Sequence, residues 1–158
     1  MHPKRGGAVN NLDEIDKRLI AILQKDGRKS FKDIALETGV PASSVRYRVQ
    51  RLEDAGILQI VGIANPLNIG FDHLAMIGIS CKPGQARQVC RLLAEHDETS
   101  YVVVTSGSFD VIIEVVCRDM QHYTEYLLER LQKTPGVVST ETFFVLEAHK
   151  LAYGWGVA

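Results

Sequence analysis

The sequence lacks the segments and motifs that mark several large classes of protein. It has no run of about 18 apolar residues, so no helix is expected to span a membrane. Residues 1–10 contain two basic residues without an apolar stretch after them, so we expect a disordered lead-in and not a secretory signal. No Gly-x-Ser-x-Gly, P-loop or dinucleotide-binding fingerprint is present. We therefore expect a cytoplasmic protein with no membrane partner.

Residues for disulfide and metal chemistry are also scarce. The three cysteines, Cys81, Cys90 and Cys117, are an odd number without Cys-x-x-Cys spacing, which argues against a disulfide framework and a zinc ribbon. Each lies in an apolar run, which predicts buried, reduced thiols. The histidines are scattered, without His-x-x-x-His spacing or a cysteine at zinc spacing. We expect no metal, no cofactor and no catalytic residue.

The overall composition is ordinary, but the charge is unevenly distributed. Of the 158 residues, 46% are hydrophobic and 23% are charged, and this length suffices for one large domain or two small ones. Residues 1–60 contain 11 Lys and Arg against 8 Asp and Glu, whereas residues 61–158 contain 7 against 11. A basic first part and an acidic second part are typical of a nucleic-acid module joined to another kind of domain.

Three short helices are predicted in the first third of the chain. The first begins at the N-cap Asp13, with Asp16 in its first turn. The second begins at Ser30, where Asp33 is spaced to complete a capping box. The third covers about residues 41 to 55. Glycines follow all three, and apolar residues at helical spacing mark their buried faces: Ile15, Leu19, Ile22, Leu23, Ile34, Ala35, Val45, Val49 and Leu52.

The third helix carries the strongest functional signal in the sequence. The β-rich segment Ile57–Ile63 follows it, so residues 11–64 are predicted to form a winged helix-turn-helix domain. Arginine can contact guanine and glutamine can contact adenine in the major groove, while hydroxyl groups suit phosphates. A solvated helix face is the alternative, but three arginines without an acid before Glu53 favour double-stranded DNA as partner. The predicted contacts are Ser43, Ser44, Arg46, Tyr47, Arg48, Gln50 and Arg51.

The remainder of the chain alternates predicted strands and helices. A linker is expected over residues 65–72, because Pro and Asn interrupt strand pairing there. The domain over residues 73–158 then has the order βαββαβ, typical of the ferredoxin-like fold, so the chain as a whole is of the α+β class. The predicted elements are the strands His73–Lys82, Ser100–Thr105, Phe109–Cys117 and Val137–Leu146, and the helices Gly84–His96 and Asp119–Lys133.

Both predicted helices of this domain cover the same side of the sheet. The inward residues of the second helix are expected to be Met120, Tyr123, Leu127, Leu128 and Leu131. The other side of the sheet stays open, and an apolar surface of this kind favours self-association. The residues expected on that open face are Tyr101, Val103, Ile112, Phe143 and Val145.

Two polar segments of this domain are candidates for a ligand site. In the tight turn at Ser106–Ser108, Gly107 would supply backbone freedom, and the following Asp110 would either cap the turn or face a ligand's amino group. The last strand carries the hydroxyl-bearing run Ser139–Thr142, which suits either solvent or the polar lining of a site for a small zwitterion. Both alternatives stay open on the residues alone.

Four separated runs closely resemble the Lrp/AsnC (feast/famine) transcriptional regulators. They are LDEIDKRLIAILQKDGR, ALETGVPASSVRYRVQRLEDAGIL, TSGSFDVIIEV and TPGVVSTETFFVL, and the resemblance covers about residues 11 to 150. It implies an N-terminal winged helix-turn-helix and a C-terminal βαββαβ (RAM) domain that senses an amino acid or related metabolite. It also implies homodimers that assemble into tetramers, octamers or larger discs. The effector site implied by position comprises Ser106, Gly107, Phe109, Asp110, Thr140 and Thr142.

The sequence departs from the family pattern at two positions, and one other class has the same architecture. Pro41 stands where serine is usual, which removes an N-cap hydroxyl but leaves the helix possible. Phe109 stands where tyrosine is common, which removes a hydroxyl from the effector turn. The alternative function is a tetrapyrrole (siroheme) decarboxylase-like enzyme, which would use histidine and basic residues. The arginine-rich third helix and the lack of a histidine cluster favour the regulator.

Overall fold

The computed structural model describes residues 12–150, and the predicted lead-in over residues 1–10 lies outside them. The described chain forms two compact units, residues 12–63 and residues 64–150. None of the helices within these residues is both long and apolar enough to cross a membrane.

The first unit contains three helices, α1 Glu14–Lys25, α2 Phe31–Thr38 and α3 Ala42–Asp54. The capping predictions for α1 and α2 are largely confirmed. The Asp13 carboxylate accepts the N–H of Asp16 at 2.8 Å, and the Asp16 carboxylate accepts the N–H of Asp13 at 3.3 Å. At α2 the Ser30 hydroxyl accepts the Asp33 N–H, but Asp33 contacts that hydroxyl and not the Ser30 backbone.

Helix α3 forms without a side-chain cap. Its N-cap is Pro41, whose φ of −54° suits the start of a helix, so the loss of the serine hydroxyl does not prevent helix formation. Gly39, with φ 73°, ends α2 in the left-handed conformation and allows the sharp turn between the two helices. The three helices enclose one apolar core, formed by Leu19, Ile20, Leu23, Ile34, Val45, Val49, Leu52 and Leu58.

The predicted wing is wrong for the described part of this unit, because residues 57–63 form no strand. The N–H groups of Ile57 and Leu58 both donate to the carbonyl of Leu52, at 2.9 and 3.2 Å, and so close the end of α3. A strand needs a hydrogen-bonded partner as well as β-branched residues, and residues 12–63 offer no second strand. Ile60, Val61 and Ile63 are consequently exposed.

The second unit has the predicted order of elements. It comprises a short 3₁₀ turn over Pro66–Asn68 and then β1 His73–Cys81, α4 Ala86–Leu93, β2 Thr99–Val104, β3 Val111–Cys117, α5 Met120–Glu125, a π-helical segment Tyr126–Leu131 and β4 Val137–Phe144. The strands form one four-stranded antiparallel sheet in the order β2-β3-β1-β4. This is the strand order of the ferredoxin-like fold.

The π-helical segment changes which side chains face the sheet. Tyr126 is buried although it was not predicted to be, whereas Leu128 is 47% exposed. The reason is that the N–H of Gln132 donates to the carbonyl of Leu127, five residues back, which widens the turn beyond the 3.6-residue period. Tyr123 and Leu131 are buried as predicted, but the inward placement of Met120 and Leu128 is wrong.

Both helices pack on one face of the sheet, as predicted. Val111, Ile113 and Val115 of β3 are buried in the core with residues of α4 and α5, and the residues between them point the other way. The strand register therefore places opposite the helices an open face that consists of Met76, Gly78, Tyr101, Val103, Ile112, Glu114, Glu141 and Phe143. Four of the five predicted open-face residues lie on it, and Val145 follows the end of β4.

Candidate DNA interface and ligand-binding region

The outer face of α3 is formed by four of the seven predicted DNA contacts. Ser43, Arg46, Tyr47 and Gln50 are exposed and recur at a spacing of three and four residues, so they lie on one side of the helix. The buried stripe, Val45, Val49 and Leu52, lies opposite them. Tyr47 is 70% exposed, so both its ring and its hydroxyl are accessible to a partner.

Contacts with neighbouring side chains orient two residues of this outer face. The guanidinium of Arg46 lies 5.5 Å from the centre of the Phe31 ring on α2, a cation–π contact. Arg46 has no ion pair with any residue that the structure describes. The amide nitrogen of Gln50 donates to Asp54 at 3.0 Å, one turn further along α3. Both side chains remain exposed and can present donors to a partner.

The other predicted arginines contact the start of α1, in what we call the Asp16 cluster: Asp13, Asp16, Arg48 and Arg51. Arg48 Nη1 lies 2.7 Å from Asp13 Oδ2 and 2.8 Å from Asp16 Oδ1. Arg51 Nη2 lies 2.5 Å from Asp16 Oδ2. Asp16 is completely buried, the Arg48 side chain is 23% exposed and the Arg51 side chain 45%. The hydrogen bond from the Asp16 N–H, together with Arg48, lowers the pKa of Asp13.

Sequence reasoning missed the Asp16 cluster because each member had a sufficient local explanation. The two acids fit the N-cap of α1, and the arginines are polar positions beside the buried stripe of α3. One signal was available: Arg48 and Arg51 are spaced by three residues and therefore share one side of α3. Ser44 is half-buried and lies on that same side of the helix.

In the second unit, Asp110 caps the end of strand β1. Its carboxylate oxygen Oδ2 accepts the N–H of Cys81 at 2.7 Å, and its own N–H donates to the carbonyl of Ile79 at 3.0 Å. The carboxylate therefore caps strand β1 and not the turn at residues 106–108, so the turn-capping alternative is wrong and the ligand alternative stays a prediction. Asp110 is exposed, and its other oxygen, Oδ1, has no hydrogen bond within the described residues.

The segment that precedes Asp110 is wider than predicted. Residues 105–110 form a loop between Val104 and Val111, which pair as the last residues of the β2–β3 ladder. Gly107 does not have a positive φ, and a Cβ atom there would meet nothing within 4 Å. The prediction that Gly107 supplies the backbone freedom of a tight turn is therefore wrong, because this wider loop has no left-handed residue at that position.

Phe109 anchors this loop to the open face of the sheet. Its ring occupies the space above Gly78 in the middle of β1, where a Cβ atom would lie 2.4 Å from ring atom Cδ2. It also contacts the Phe143 ring edge-to-face, with centroids 6.3 Å apart. Sequence reasoning did not identify Gly78, although a glycine inside a strand often marks a close approach of other atoms.

The two threonines predicted for the effector site lie on the opposite face of the sheet. The Thr142 hydroxyl is 2.7 Å from the Tyr123 hydroxyl, and the Gln132 amide donates to the Thr140 hydroxyl at 3.4 Å. Both partners belong to the helical layer, and β4 is an edge strand. The structure thus divides the six predicted residues between the 105–110 loop, with Ser106, Gly107, Phe109 and Asp110, and the helix side of β4, with Thr140 and Thr142.

A half-buried carboxylate, Glu98, links the start of β2 to the helical layer. Both of its oxygens lie 2.6 Å from Arg130 Nη1, and His122 Nε2 is 3.5 Å away. Burial raises the pKa of Glu98, but hydrogen bonds from its own backbone N–H, from His122 and from Arg130, with the charge of Arg130, outweigh this effect and leave the pKa below its usual value. These contacts make the cluster structural.

The cysteines and histidines form no metal site within residues 12–150. All three cysteines are free; Cys117 is buried as predicted, whereas Cys81 and Cys90 are half-buried. Burial raises the pKa of the Cys117 thiol to about 11, so this thiol is protonated near neutral pH.

Two family models match the two units. The AsnC-type helix-turn-helix domain matches residues 12–53, and the Lrp/AsnC ligand binding domain matches residues 74–155. A helix-turn-helix unit joined to a ligand-binding domain defines a DNA-binding transcriptional regulator. The chain belongs to the Lrp/AsnC family of these regulators.

Similar proteins support this assignment over nearly the whole chain. An uncharacterized HTH-type transcriptional regulator of Pyrococcus furiosus is 36% identical over 143 residues, which cover 90% of this chain and 97% of that protein. The leucine response regulatory protein of Mycobacterium tuberculosis has a TM-score of 0.83 at 26% identity, covering 92% of this chain and 100% of that one. A transcriptional regulator of Neisseria meningitidis in complex with L-Met has a TM-score of 0.79 at 24% identity, covering 90% and 94%.

Proposed function

We propose that this regulator acts in the cytoplasm without catalysis, reads double-stranded DNA with the outer face of α3, and responds to an amino acid or related metabolite in its second unit. The observation that carries the proposal is the exposed row Ser43, Arg46, Tyr47 and Gln50 on a helix-turn-helix. The match of the second unit to a ligand binding domain supports the effector, and the L-Met complex of the Neisseria protein indicates its chemical class.

The proposed contacts follow from the chemistry of the four side chains. The major groove admits an α-helix, and arginine can donate two hydrogen bonds to guanine. Arg46 is suited to this contact because the Phe31 ring orients it while no acid among residues 12–150 pairs with it. Gln50 can contact adenine once it leaves Asp54, and the hydroxyl groups of Ser43 and Tyr47 suit phosphates. Ser44, half-buried beside this row, is assigned to a phosphate at its margin.

The open face of the second unit is proposed to join two copies of the chain. It presents Tyr101, Val103, Ile112 and Phe143 on one side of the sheet, and two such faces would bury them. A dimer carries two helix-turn-helix domains, so once one of them has bound DNA, the other binds at the high effective concentration that the linkage provides. Further assembly to tetramers or octamers would increase this effect.

An effector can change DNA binding only if it binds one arrangement of the assembly more tightly than another. For an amino acid, we propose that the free carboxylate oxygen of Asp110 accepts the ammonium group and that loop residues Ser106, Gly107 and Phe109 contact the ligand. Thr140 and Thr142 lie on the other side of the sheet, so they would contribute hydroxyl groups only to a ligand bound between neighbouring copies.

The test duplex is one that the wild-type protein selects from a random pool. Arg46→Ala is expected to weaken binding to this duplex by about 1–3 kcal/mol, roughly tenfold to a hundredfold. The preference at one base pair of the selected sequence should relax as well. Equilibrium titrations of the selected duplex, and of the same duplex with single base pairs changed, measure these effects. Arg87→Ala, the same change at an exposed position of α4, is the matched control. Wild-type affinity and base preference in the Arg46 variant would remove Arg46 from the recognition face.

Asp110→Asn is expected to abolish the response to the effector while preserving the fold. The asparagine carbonyl can still accept the Cys81 N–H, but it lacks the negative charge for an ammonium group. The measurement is a thermal-shift screen of the wild-type protein against the amino acids, repeated with the variant for each hit. A ligand at a hundred times its Kd stabilises the wild-type protein by about 2.7 kcal/mol. An undiminished shift in the variant would contradict the role of Asp110.

A further inference from the structure

Two acids at the start of α1 bind two of the three arginines of α3. Asp13 and Asp16 together accept Arg48, and Asp16 also accepts Arg51, all within 2.8 Å. The contrast with Arg46 is clear, because Arg46 lies on the outer face of the same helix over an aromatic ring and has no carboxylate partner among the described residues. The positive charge of α3 is thus partly neutralised inside the unit itself.

We propose that Asp13 and Asp16 determine the DNA specificity of this regulator by withdrawing Arg48 and Arg51 from the phosphates. The inference rests on the proposed DNA-binding function and concerns a different property, the ratio of specific to non-specific affinity. It reassigns Arg48 and Arg51 from direct contacts to positioning residues of α3, and it confines base reading to the outer face.

The reason lies in how arginine contributes to DNA binding. An unpaired arginine near the groove neutralises a phosphate and releases counterions whatever the sequence, so it strengthens non-specific binding as much as specific binding. A contact with a base edge, in contrast, discriminates between sequences. Withdrawing two of three arginines from phosphates therefore lowers non-specific affinity and leaves discrimination by Arg46 intact.

The burial of Asp16 explains why DNA does not simply capture these arginines. The Asp16 side chain is 1% exposed, and its two oxygens accept Arg48 and Arg51 separately. If both arginines moved to phosphates, the buried carboxylate would lose its counter-charges, which is strongly unfavourable for a charge inside the protein. Asp13 is exposed and by itself could not oppose the phosphates in this way.

The test compares salt dependence, which a purely structural role would not change. Asp16→Asn keeps the shape of the side chain, removes the buried carboxylate from both arginines and leaves Arg48 only the exposed Asp13. On a random-sequence duplex, the slope of log K against log salt concentration should steepen by about 0.9 for each arginine that reaches a phosphate. The ratio of affinities for the selected and the random duplex should fall about tenfold. Glu14→Gln makes the same charge change in the same turn of α1, where Lys17 is the ion-pair partner of Glu14 among the described residues, and should leave the slope unchanged.

Single variants keep the inference testable if Asp16→Asn does not fold, as judged by circular dichroism. Arg48→Met and Arg51→Met each leave one arginine on Asp16, and both should retain the wild-type salt slope because neither arginine contacts a phosphate. A salt slope that is shallower by about 0.9 in either variant would overturn the inference, since it marks a lost phosphate contact. An unchanged slope in folded Asp16→Asn would overturn it as well. A wild-type protein that binds neither duplex would overturn the proposed function itself, and this inference with it.

Discussion

The double variant Arg48→Met/Arg51→Met is expected to lower the unfolding free energy of the helix-turn-helix unit by about 3–5 kcal/mol. The replacement leaves the Asp16 carboxylate buried with one hydrogen bond, from the Asp13 N–H at 3.3 Å. Methionine retains the length and apolar contacts of the arginine stems, so the loss reports the missing charges and not missing volume. Amide hydrogen exchange of α1 and α3, measured in the full chain, gives the free energy of this unit alone.

A matched pair and a rescue make this prediction specific. Lys17→Met/Arg18→Met removes two cations from α1 whose partners in the described part of the chain are Glu14 and the carbonyl of Glu37, and it should change stability by less than about 1 kcal/mol. Adding Asp16→Asn to the double variant should recover a large part of the loss, because a neutral amide needs no counter-charge. Equal losses in both pairs, or no recovery, would show that Asp16 does not depend on the arginines.

Gly136→Ala is expected to destabilise the second unit by about 2–4 kcal/mol. Gly136 has φ 98°, which is strained for any residue with a side chain. A Cβ atom there would also lie 2.6 Å from Gln85 Oε1 and 2.9 Å from Cγ2 of Val89, and Val89 is fully buried in α4. The expected loss combines about 1–2 kcal/mol of backbone strain with the additional cost of overpacking.

Gly84→Ala separates these two contributions. Gly84 has φ 78°, but a Cβ atom there would meet nothing within 4 Å, so this variant should lose only the strain of about 1–2 kcal/mol. Urea unfolding of both variants, followed through amides of the β-sheet, measures the difference. Equal losses in Gly84→Ala and Gly136→Ala would mean that Gln85 and Val89 give way without cost.

Much of the fold could be predicted because its determinants are local. Asp13, Ser30 and Gly39 mark helix ends through contacts within a few residues, and helical periodicity located the core of the first unit. The order of strands and helices in the second unit followed from the same kind of pattern. Its sheet then has the expected ferredoxin-like arrangement, because βαββαβ chains form few others.

The errors arose where a residue's role depends on a distant partner or on exact helix geometry. Residues 57–63 have strand-forming composition, but no second strand within residues 12–63 pairs with them. One π-helical turn exchanged Tyr126 for Leu128 in the core, since a period of 3.6 no longer applied. These features depend on the whole packed structure, so a local pattern could not reveal them.

The candidate site was harder to predict than the fold for the same reason. Asp16 and Arg51 are 35 residues apart, and Cys81 and Asp110 are 29 residues apart. Each of these residues is compatible with an exposed, unpaired role when only its neighbours in sequence are considered. It was therefore predictable which residues of α3 lie outside its buried stripe. The division of its arginines between the outer face and the Asp16 cluster was not predictable.

The contact between Phe109 and Gly78 also has a consequence for how this protein can change over evolutionary time. A larger residue at position 78 has no room while the aromatic ring is present, and loss of the ring uncovers the middle of strand β1. Neither position can drift alone without disturbing the loop that carries Asp110. The two positions, one in a strand and one in a loop, therefore restrict each other, because the ring at position 109 fits over the sheet only while position 78 has no side chain.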